Sequence, residues 1–389
     1  MAPGRNGMAA AGCAVCDADA LHELAGFAAL TRVTSDSRTL PPGGRLAVCM
    51  RCGAIQKIPD ARWRAEIDAI YADFSLDRQS DGEEQLIFDA NGIGLPRSQR
   101  IVDFLAAPDR LATPRKMLDF GCGRGATLKV ISGRWTDCAL YGTELGTATE
   151  AELIRIPGFR KLYTGGPEAI DQRFDLVTLV HSLAHVTGPV DVLRKLHGCM
   201  EDEAALFIQT PDATKNLFYI LVADALTHFT GDTLLQATAR AGFHPMISTD
   251  AIAANELTYL GRRADRPVMA PAGTDPERVL RDVAANIHWL QQLVAKARGL
   301  AAAGRSFGIF GSSLAASWLA AEIGERFDFF VDEDRRRSGK VHMGRPIIDP
   351  ETIPAGAAIF VPLAPNVAAR VAARLQARGV AATPPDALP

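Results

Sequence analysis

The sequence predicts an α/β fold in which a largely parallel sheet carries helices on both faces. Three observations carry that expectation. From residue 117 onward, strand-like segments alternate with helix-like ones. At residues 117–125, Met-Leu-Asp-Phe-Gly-Cys-Gly-Arg-Gly, an apolar strand ends in an acid and runs directly into alternate glycines. A strand, a glycine turn and a helix recur in the last third, at Phe307-Gly-Ile-Phe-Gly-Ser-Ser-Leu-Ala-Ala-Ser-Trp. At 389 residues the chain is too long for one ordinary domain, and the punctuation suggests three units, 1–70, 71–265 and 277–389.

The first unit is marked by four of the seven cysteines, which form two C-x-x-C pairs, Cys13 with Cys16 and Cys49 with Cys52. In a cytosolic chain such pairs point to metal before disulfide. Two thiolate knuckles complete the tetrahedral set that zinc prefers in closed, structural sites; free or redox thiols are the alternative. The turn-rich part of the intervening segment, Ser35–Arg45 with Pro41-Pro42-Gly43-Gly44, would fold back as a loop. A helix is expected from Asp60 to Tyr71, with Asp60 as N-cap and Trp63, Ile67 and Ile70 on one face. Residues 74–84 are polar and without period. A second helix spans about Ser98 to Leu105, closed off by Pro108 and Pro114.

In the second unit the strands are 117–120, 139–143, 174–180 and 205–209. A helix follows Thr230, its expected N-cap, and stops at Gly242, leading into a closing hairpin that uses Leu257–Gly261. Residues 262–276 read as a linker, followed by a long helix from about 277 to 302. The third unit repeats the Rossmann-like pattern, with a strand at 327–331 ending at Asp332 and further strands near Ile347 and 358–362. Its Gly308-Ile-Phe-Gly311 turn lacks the full dinucleotide fingerprint, so a substrate-holding or structural role is expected there.

The loop after the first strand of the second unit carries the chemistry. Gly121, Gly123 and Gly125 let a ligand lie against the main chain, and the next helix aims its first amides at the same space. A dinucleotide loop would read G-x-G-x-x-G. This one reads G-x-G-x-G and offers Asp119, a carboxylate suited to the amino group of a methionine moiety. Glu144, about 20 residues past the loop at the end of the next strand, is the position for an acid that holds both ribose hydroxyls. Together these residues point to S-adenosylmethionine rather than NAD. Cys122 reads as a small residue that fits a tight turn. His181 stands at the carboxyl end of a parallel strand, the rim where open sheets bind ligands, and is a candidate for the cofactor site and for catalysis.

Composition narrows the partners. With 48% hydrophobic and 22% charged residues and a net charge of −3, the chain has no basic excess to bind nucleic acid. The start lacks a signal-peptide core and no apolar run approaches a membrane span, so a cytoplasmic protein with a small-molecule acceptor is expected. Oligomeric state is not readable.

Cysteine knuckles, the Asp119 loop and a Rossmann-like tail, in this order, resemble the three-domain, zinc-containing sugar C-methyltransferases that act on nucleotide-linked deoxysugars. The supporting pieces are Cys49-Met-Arg-Cys-Gly-Ala-Ile-Gln, Leu118-Asp-Phe-Gly-Cys-Gly-Arg-Gly, His181-Ser-Leu-Ala-His185, His228-Phe-Thr, and Val331-Asp-Glu-Asp with Gly339 and Gly344-Arg-Pro. The resemblance implies a class I methyltransferase core with a Rossmann-like sheet, between a zinc-knuckle domain and a C-terminal Rossmann-like domain. It also implies proton removal beside a ketone, followed by methylation of the enolate carbon.

The sequence departs from that family at the expected base. Where the family pattern resembles His-Val-Leu-Glu-His, this chain keeps His181 and His185 but has Ala184. Where the family carries an adjacent Glu-His pair before Phe-Thr, this chain has Asp224 and Ala225. Candidate catalytic residues are therefore His181, His185, Asp224, His228 and Tyr71, with Tyr219 a further partner for an enolate oxygen. Three readings stay open: a C-methyltransferase with its base moved to His181 or His228; methyl transfer to oxygen or nitrogen, where positioning supplies much of the rate; and a fold that binds S-adenosylmethionine or a sugar nucleotide without transfer.

Overall fold

The computed structural model describes residues 12–75, 84, 86–88, 94–266, 268–269 and 274–388. The expectations for residues 1–11, most of the polar stretch (76–83) and part of the linker (267, 270–273) lie outside the described residues.

The chain opens on short strands: β1 (Leu21–Glu23), the hairpin β2 (Arg32–Val33) and β3 (Thr39–Leu40), then β4 (Leu46–Cys49) and β5 (Ile55–Lys57). The predicted helix follows at Ala61–Ala72; the Asp60 side chain accepts from the Trp63 amide, and Trp63, Ile67 and Ile70 are its buried residues. A small hairpin, β6 (Leu86–Phe88) with β7 (Gly94–Pro96), leads into the helix Arg97–Leu105.

The central sheet then forms from β8 (Lys116–Phe120), β9 (Ala139–Glu144), β10 (Phe159–Thr164), β11 (Phe174–Val180) and β12 (Met200–Pro211). Two residues at β13 (Thr227–His228) leave it, and the hairpin β14 (Phe243–Thr249) and β15 (Glu256–Arg263) returns. The spatial order is β10-β9-β8-β11-β12-β15-β14. The first five strands pair in parallel and the last two antiparallel, which is the class I methyltransferase arrangement. Strand order reverses between β8 and β11, the switch point outside which open sheets bind their ligands.

Alternation along the strands splits the core. Leu118, Val177, Leu179, Leu206 and Ile208 fall in one buried cluster, and Met117, Leu176, Phe207 and Leu260 in another, as strands covered on both faces require. Thr230 caps the helix Gly231–Arg240 through a reciprocal bond with Thr233, and Gly242 follows at φ +90°.

After the long helix Pro276–Ala301 come β16 (Phe307–Phe310), the helix Leu314–Ile323, β17 (Phe329–Val331), β18 (Val341–His342), β19 (Arg345–Ile348), β20 (Ala358–Phe360) and β21 (Ala381–Thr383), in the order β18-β19-β17-β16-β20-β21. The long helix joins the parts: Ile287, Trp289 and Leu290 share one core with Phe27 and Val33 at the N-terminal end and Phe307 and Trp318 at the C-terminal end. Each such side chain contributes roughly 1.5–3 kcal/mol when fully buried, and Phe218 makes edge contacts to both tryptophans.

Two features were not expected. The N-terminal sheet runs β1-β4-β5-β13, so its fourth strand comes from residues 227–228, far along the chain. The segment Ser35–Arg45, expected as a plain loop, contributes β3, and its first residue bonds Asp224.

Candidate active site at the carboxyl edge of the central sheet

The glycine loop closes tightly under the switch point. Gly121, Gly123 and Gly125 all have φ between 52° and 76°. A Cβ on Gly121 would lie 2.7 Å from Ser182 Cβ, and one on Gly125 would lie 2.6 Å from Ile156 Cδ1. Such approaches admit only hydrogen. Cys122 is packed beneath the loop, where its sulfur would meet a Cβ on Gly142 at 2.5 Å. Burial holds its thiol protonated, which supports the reading of a small packing residue.

Asp119 is 3% exposed and accepts a 2.7 Å bond from Thr178 Oγ1. Burial pushes its carboxyl up to about 7, against the Thr178 bond, with the nearby Glu144 charge adding to the rise. A buried carboxyl without a cation is the environment an ammonium group would correct. Glu144 accepts from the Gly123 amide at 2.6 Å and from the Leu145 amide at 3.1 Å, which fixes it at the mouth of the loop. Beside it, Leu145 leaves 58% of its surface exposed. The residues present therefore fit S-adenosylmethionine: Asp119 for the amino group, Glu144 for the ribose, Leu145 as an apolar surface for the adenine, and bare backbone between them.

On the other side of the switch point, His181 follows β11 with φ +56°. A side chain in that region is strained, and such strain collects at functional sites. Its Nε2 lies 3.2 Å from Glu256 Oε1. Glu256 is also gripped by Arg97 at 2.5 Å. Burial would raise the Glu256 carboxyl, but the His181 and Arg97 charges overcome it and hold it near about 2. His181 itself is lowered, chiefly by burial and in part by Arg97, with Glu256 opposing.

The site's most informative contact joins His185 to Asp224. His185 Nδ1 lies 3.0 Å from the Asp224 backbone oxygen and 3.3 Å from its Oδ2. Both neighbours are acceptors, so Nδ1 carries the proton and donates, leaving the Nε2 lone pair free. Among the described residues the polar contacts of His185 all fall on Nδ1. Burial pulls the His185 imidazole down, but Asp224 more than restores it and the net shift is upward. Asp224 is fully buried; burial raises it, while His185 and then Ser35 bring it below its ordinary value.

Tyr71 and Tyr219 complete this edge. Burial first, and then the Asp224 charge, keep both phenols protonated. Among the described residues Tyr219 OH is buried without a hydrogen-bond partner, and Tyr71, at the end of its helix, also feels Tyr219 and Glu144.

His228 has a different fate. The sequence offers it as a candidate base. Instead it is wholly buried in β13, antiparallel to β5, with Nε2 3.1 Å from Lys57 Nζ. Burial and then the Lys57 charge drive it well below its ordinary value. The lysine, equally buried, donates to the Ile220 carbonyl. Sequence reasoning missed Ser35, Arg97, Glu256 and Ser182. The pairs Ser35–Asp224 and Arg97–Glu256 are separated by 189 and 159 residues, and no local pattern connects them.

The four cysteines meet as expected. Their sulfurs lie within 4.8 Å of one another, with Cys13 to Cys52 at 3.5 Å and Cys16 to Cys49 at 3.6 Å. A tetrahedron with arms of about 2.3 Å has edges of about 3.8 Å, so the donor set fits one four-thiolate ion.

Residues 95–246 match a family described as a methyltransferase domain. Among solved structures the chain is similar to an O-methyltransferase family protein from Burkholderia thailandensis, with 17% identity and TM-score 0.37 over 43% of this chain and 56% of that one. It is also similar to an S-adenosylmethionine-dependent methyltransferase from Clostridium acetobutylicum, with 12% identity and TM-score 0.37 over 43% of this chain and 91% of that one. A third is human N-acetylserotonin methyltransferase, with 16% identity and TM-score 0.35 over 43% of this chain and 51% of that one. The chain thus spans little more than half of the first of these. No curated protein matches the sequence. No helix among the described residues is long and apolar enough to cross a membrane. The central part of the chain, residues 95–246, is thus similar to a methyltransferase domain.

Proposed function

We propose that this protein methylates carbon in a small keto-sugar acceptor, most simply a nucleotide-linked keto-deoxysugar, with His185 as the general base. The observation that carries the reading is the His185–Asp224 contact. The base expected next to position 224 is absent, since Ala225 stands there, and His185 supplies an imidazole to the same carboxylate from another segment. Its free Nε2 is the atom that would take the proton from the carbon beside a ketone; Asp224 fixes the tautomer and stabilises the imidazolium that results. Tyr71 and Tyr219 are protonated donors suited to the developing enolate oxygen. S-adenosylmethionine, held by Asp119 and Glu144, supplies an electrophilic methyl group. The carbon electron pair freed by deprotonation would form the new bond to the methyl group as the methyl–sulfur bond breaks, its electron pair going to sulfur to leave S-adenosylhomocysteine, and the proton would remain on His185 for release to solvent.

His181, tied to Glu256 and Arg97, is assigned to orient substrate or cofactor at the rim. We further propose that Cys13, Cys16, Cys49 and Cys52 hold a structural zinc, and that the chain divides near residues 70 and 265–277. Metal analysis should then find about one zinc per chain; a metal-free, stably folded preparation would remove the ion from the account.

The deciding experiment incubates the protein with methyl-labelled S-adenosylmethionine and a set of nucleotide-linked 4-keto sugars. The expected product carries its new methyl on carbon, and His185→Ala abolishes it. Label found only on hydroxyl oxygen would replace this reading by O-methylation, for which the same dyad would deprotonate an alcohol.

A further inference from the structure

The N-terminal cysteine-bearing part does more than flank the site. The chain from Val222 to His228 runs between it and the His185 segment. On one side the Ala223 amide donates to the Val33 carbonyl at 2.7 Å, the Lys57 amide to the Leu226 carbonyl at 2.8 Å, and Trp63 Nε1 to the Ala223 carbonyl at 3.2 Å. On the other side the Leu226 amide donates to the Ala184 carbonyl at 2.8 Å. Asp224 sits in the middle of this strip. Its Oδ1 accepts from the Ser35 amide at 2.8 Å, and its Oδ2 accepts from Ser35 Oγ as well as facing His185.

Ser35 is itself held in place. It lies in a turn closed by the Thr34 amide on the Arg38 carbonyl at 2.8 Å. Arg38 reaches across to the Ile70 carbonyl at 2.8 Å and to Asp73.

We propose that Ser35 is a positioning residue of the catalytic centre: it holds the Asp224 carboxylate ionised and aligned, so that His185 presents its free nitrogen to the acceptor. A fully buried carboxylate needs donors for its lone pairs, and among the described residues the other group on Asp224 Oδ2 is His185 itself. When His185 takes the substrate proton, an anion already fixed in line stabilises the imidazolium without reorganising. The N-terminal part thereby becomes a component of the active site, and the inference rests on the His185–Asp224 reading.

Several groups bear on this pair. Asp224 faces Ser35, His185, Tyr71 of the helix Ala61–Ala72 and Tyr219 of the turn before it, and feels Lys57 of β5; His185 is felt by His181 and by His228 of β13. Of these, Ser35 and His185 are the hydrogen-bond donors on the Asp224 carboxylate among the described residues.

The test is an NMR titration of the full-length protein without substrate, reading the Asp224 carboxyl carbon and the His185 ring, each assigned from the Asp224→Asn and His185→Gln spectra. A hydrogen bond to a charged group contributes roughly 1.5–3 kcal/mol. Ser35→Ala should therefore raise the Asp224 midpoint by about one unit or more, and Ser35→Thr, which keeps the hydroxyl, should restore it. An Asp224 midpoint unchanged in folded Ser35→Ala overturns the proposal. Should that variant not fold, Ser35→Cys, a nearly isosteric and weaker donor, is read the same way. The underlying dyad has its own readout, because Asp224→Asn should lower the His185 midpoint. If His185 titrates alike with and without Asp224, the dyad fails, whatever Ser35 does.

Discussion

The central and C-terminal sheets both run a strand into a glycine turn, a helix and a second strand that ends in an acid. In the central sheet the acid is Glu144, whose carboxylate, among the described residues, accepts from backbone amides of the loop and of its own neighbour. In the C-terminal sheet the acid is Asp332, which accepts from Ser312 Oγ at 2.5 Å and from the Asp334 amide at 2.9 Å. Arg337 closes that turn further, bonding Ser312 Oγ at 2.7 Å and approaching Asp332 at 3.7 Å. The glycines differ too. Those at 121 and 125 have no room for a Cβ, whereas a Cβ on Gly311 would meet only Ala316, at 3.9 Å. On the proposed reading, a strand, a glycine turn and an acid make a ligand site where the backbone is crowded against the cradle and the acid's side-chain hydrogen-bonding capacity is left open; where the turn's own side chains use that capacity, we propose a structural joint.

The sharpest way to break this comparison is to fill the glycines. Gly125→Val would put a branched side chain at φ +74° and within 2.7 Å of Leu153 and Ile156. Overpacking of about 1–3 kcal/mol, plus the left-handed penalty of about 1–2 kcal/mol, should cut affinity for S-adenosylhomocysteine by roughly two orders of magnitude or more. Gly311→Ala should carry only the left-handed penalty and leave that affinity unchanged. Calorimetric titration reads both, and equal losses in the two variants would erase the distinction.

A smaller change exchanges the acids for amides. Glu144→Gln keeps an acceptor but gives up the charge, about 1 kcal/mol for each of the two expected ribose bonds, so affinity should drop about 10- to 100-fold. Asp332→Asn should lower the melting temperature by a few degrees and leave cofactor binding intact. Binding lost in Asp332→Asn would make the C-terminal turn part of a ligand site.

The smallest effect is a pH dependence confined to the central rim. His185 is raised on folding, so its contribution is fully present below about pH 6.5 and fades as pH climbs through its folded value. Asp224 is depressed, so its contribution is present above about pH 3.9 and fades as pH falls through its folded value. The melting-temperature gap between wild type and Asp224→Asn should be greatest between about pH 4 and 6.5 and narrow toward pH 9. A constant gap for Asp224→Asn would deny the pairing.

Much of the fold was legible because its signals are local. The Asp119 loop and the strand alternation declare themselves within a few residues. So do the Thr230 cap with its Gly242 stop and the two cysteine knuckles. The candidate cofactor residues stand out for the same reason, each lying at a strand end adjoining the loop. The pairing of the candidate catalytic residues does not. His185 and Asp224 were read as separate candidates, one beside a missing acid and the other beside a missing imidazole, and their contact spans 39 residues. His228 carried a local promise that the β5–β13 pairing overruled by burying it against Lys57.

The sequence alone therefore determined the sheet, the methyl-donor cradle and the four-sulfur cluster, because each depends on backbone freedom or donor type within a short span. Only the tertiary structure decided which imidazole meets which carboxylate. A parallel sheet brings distant strand ends to one edge, and a buried Asp224 can keep its charge only where Ser35 and His185 arrive together.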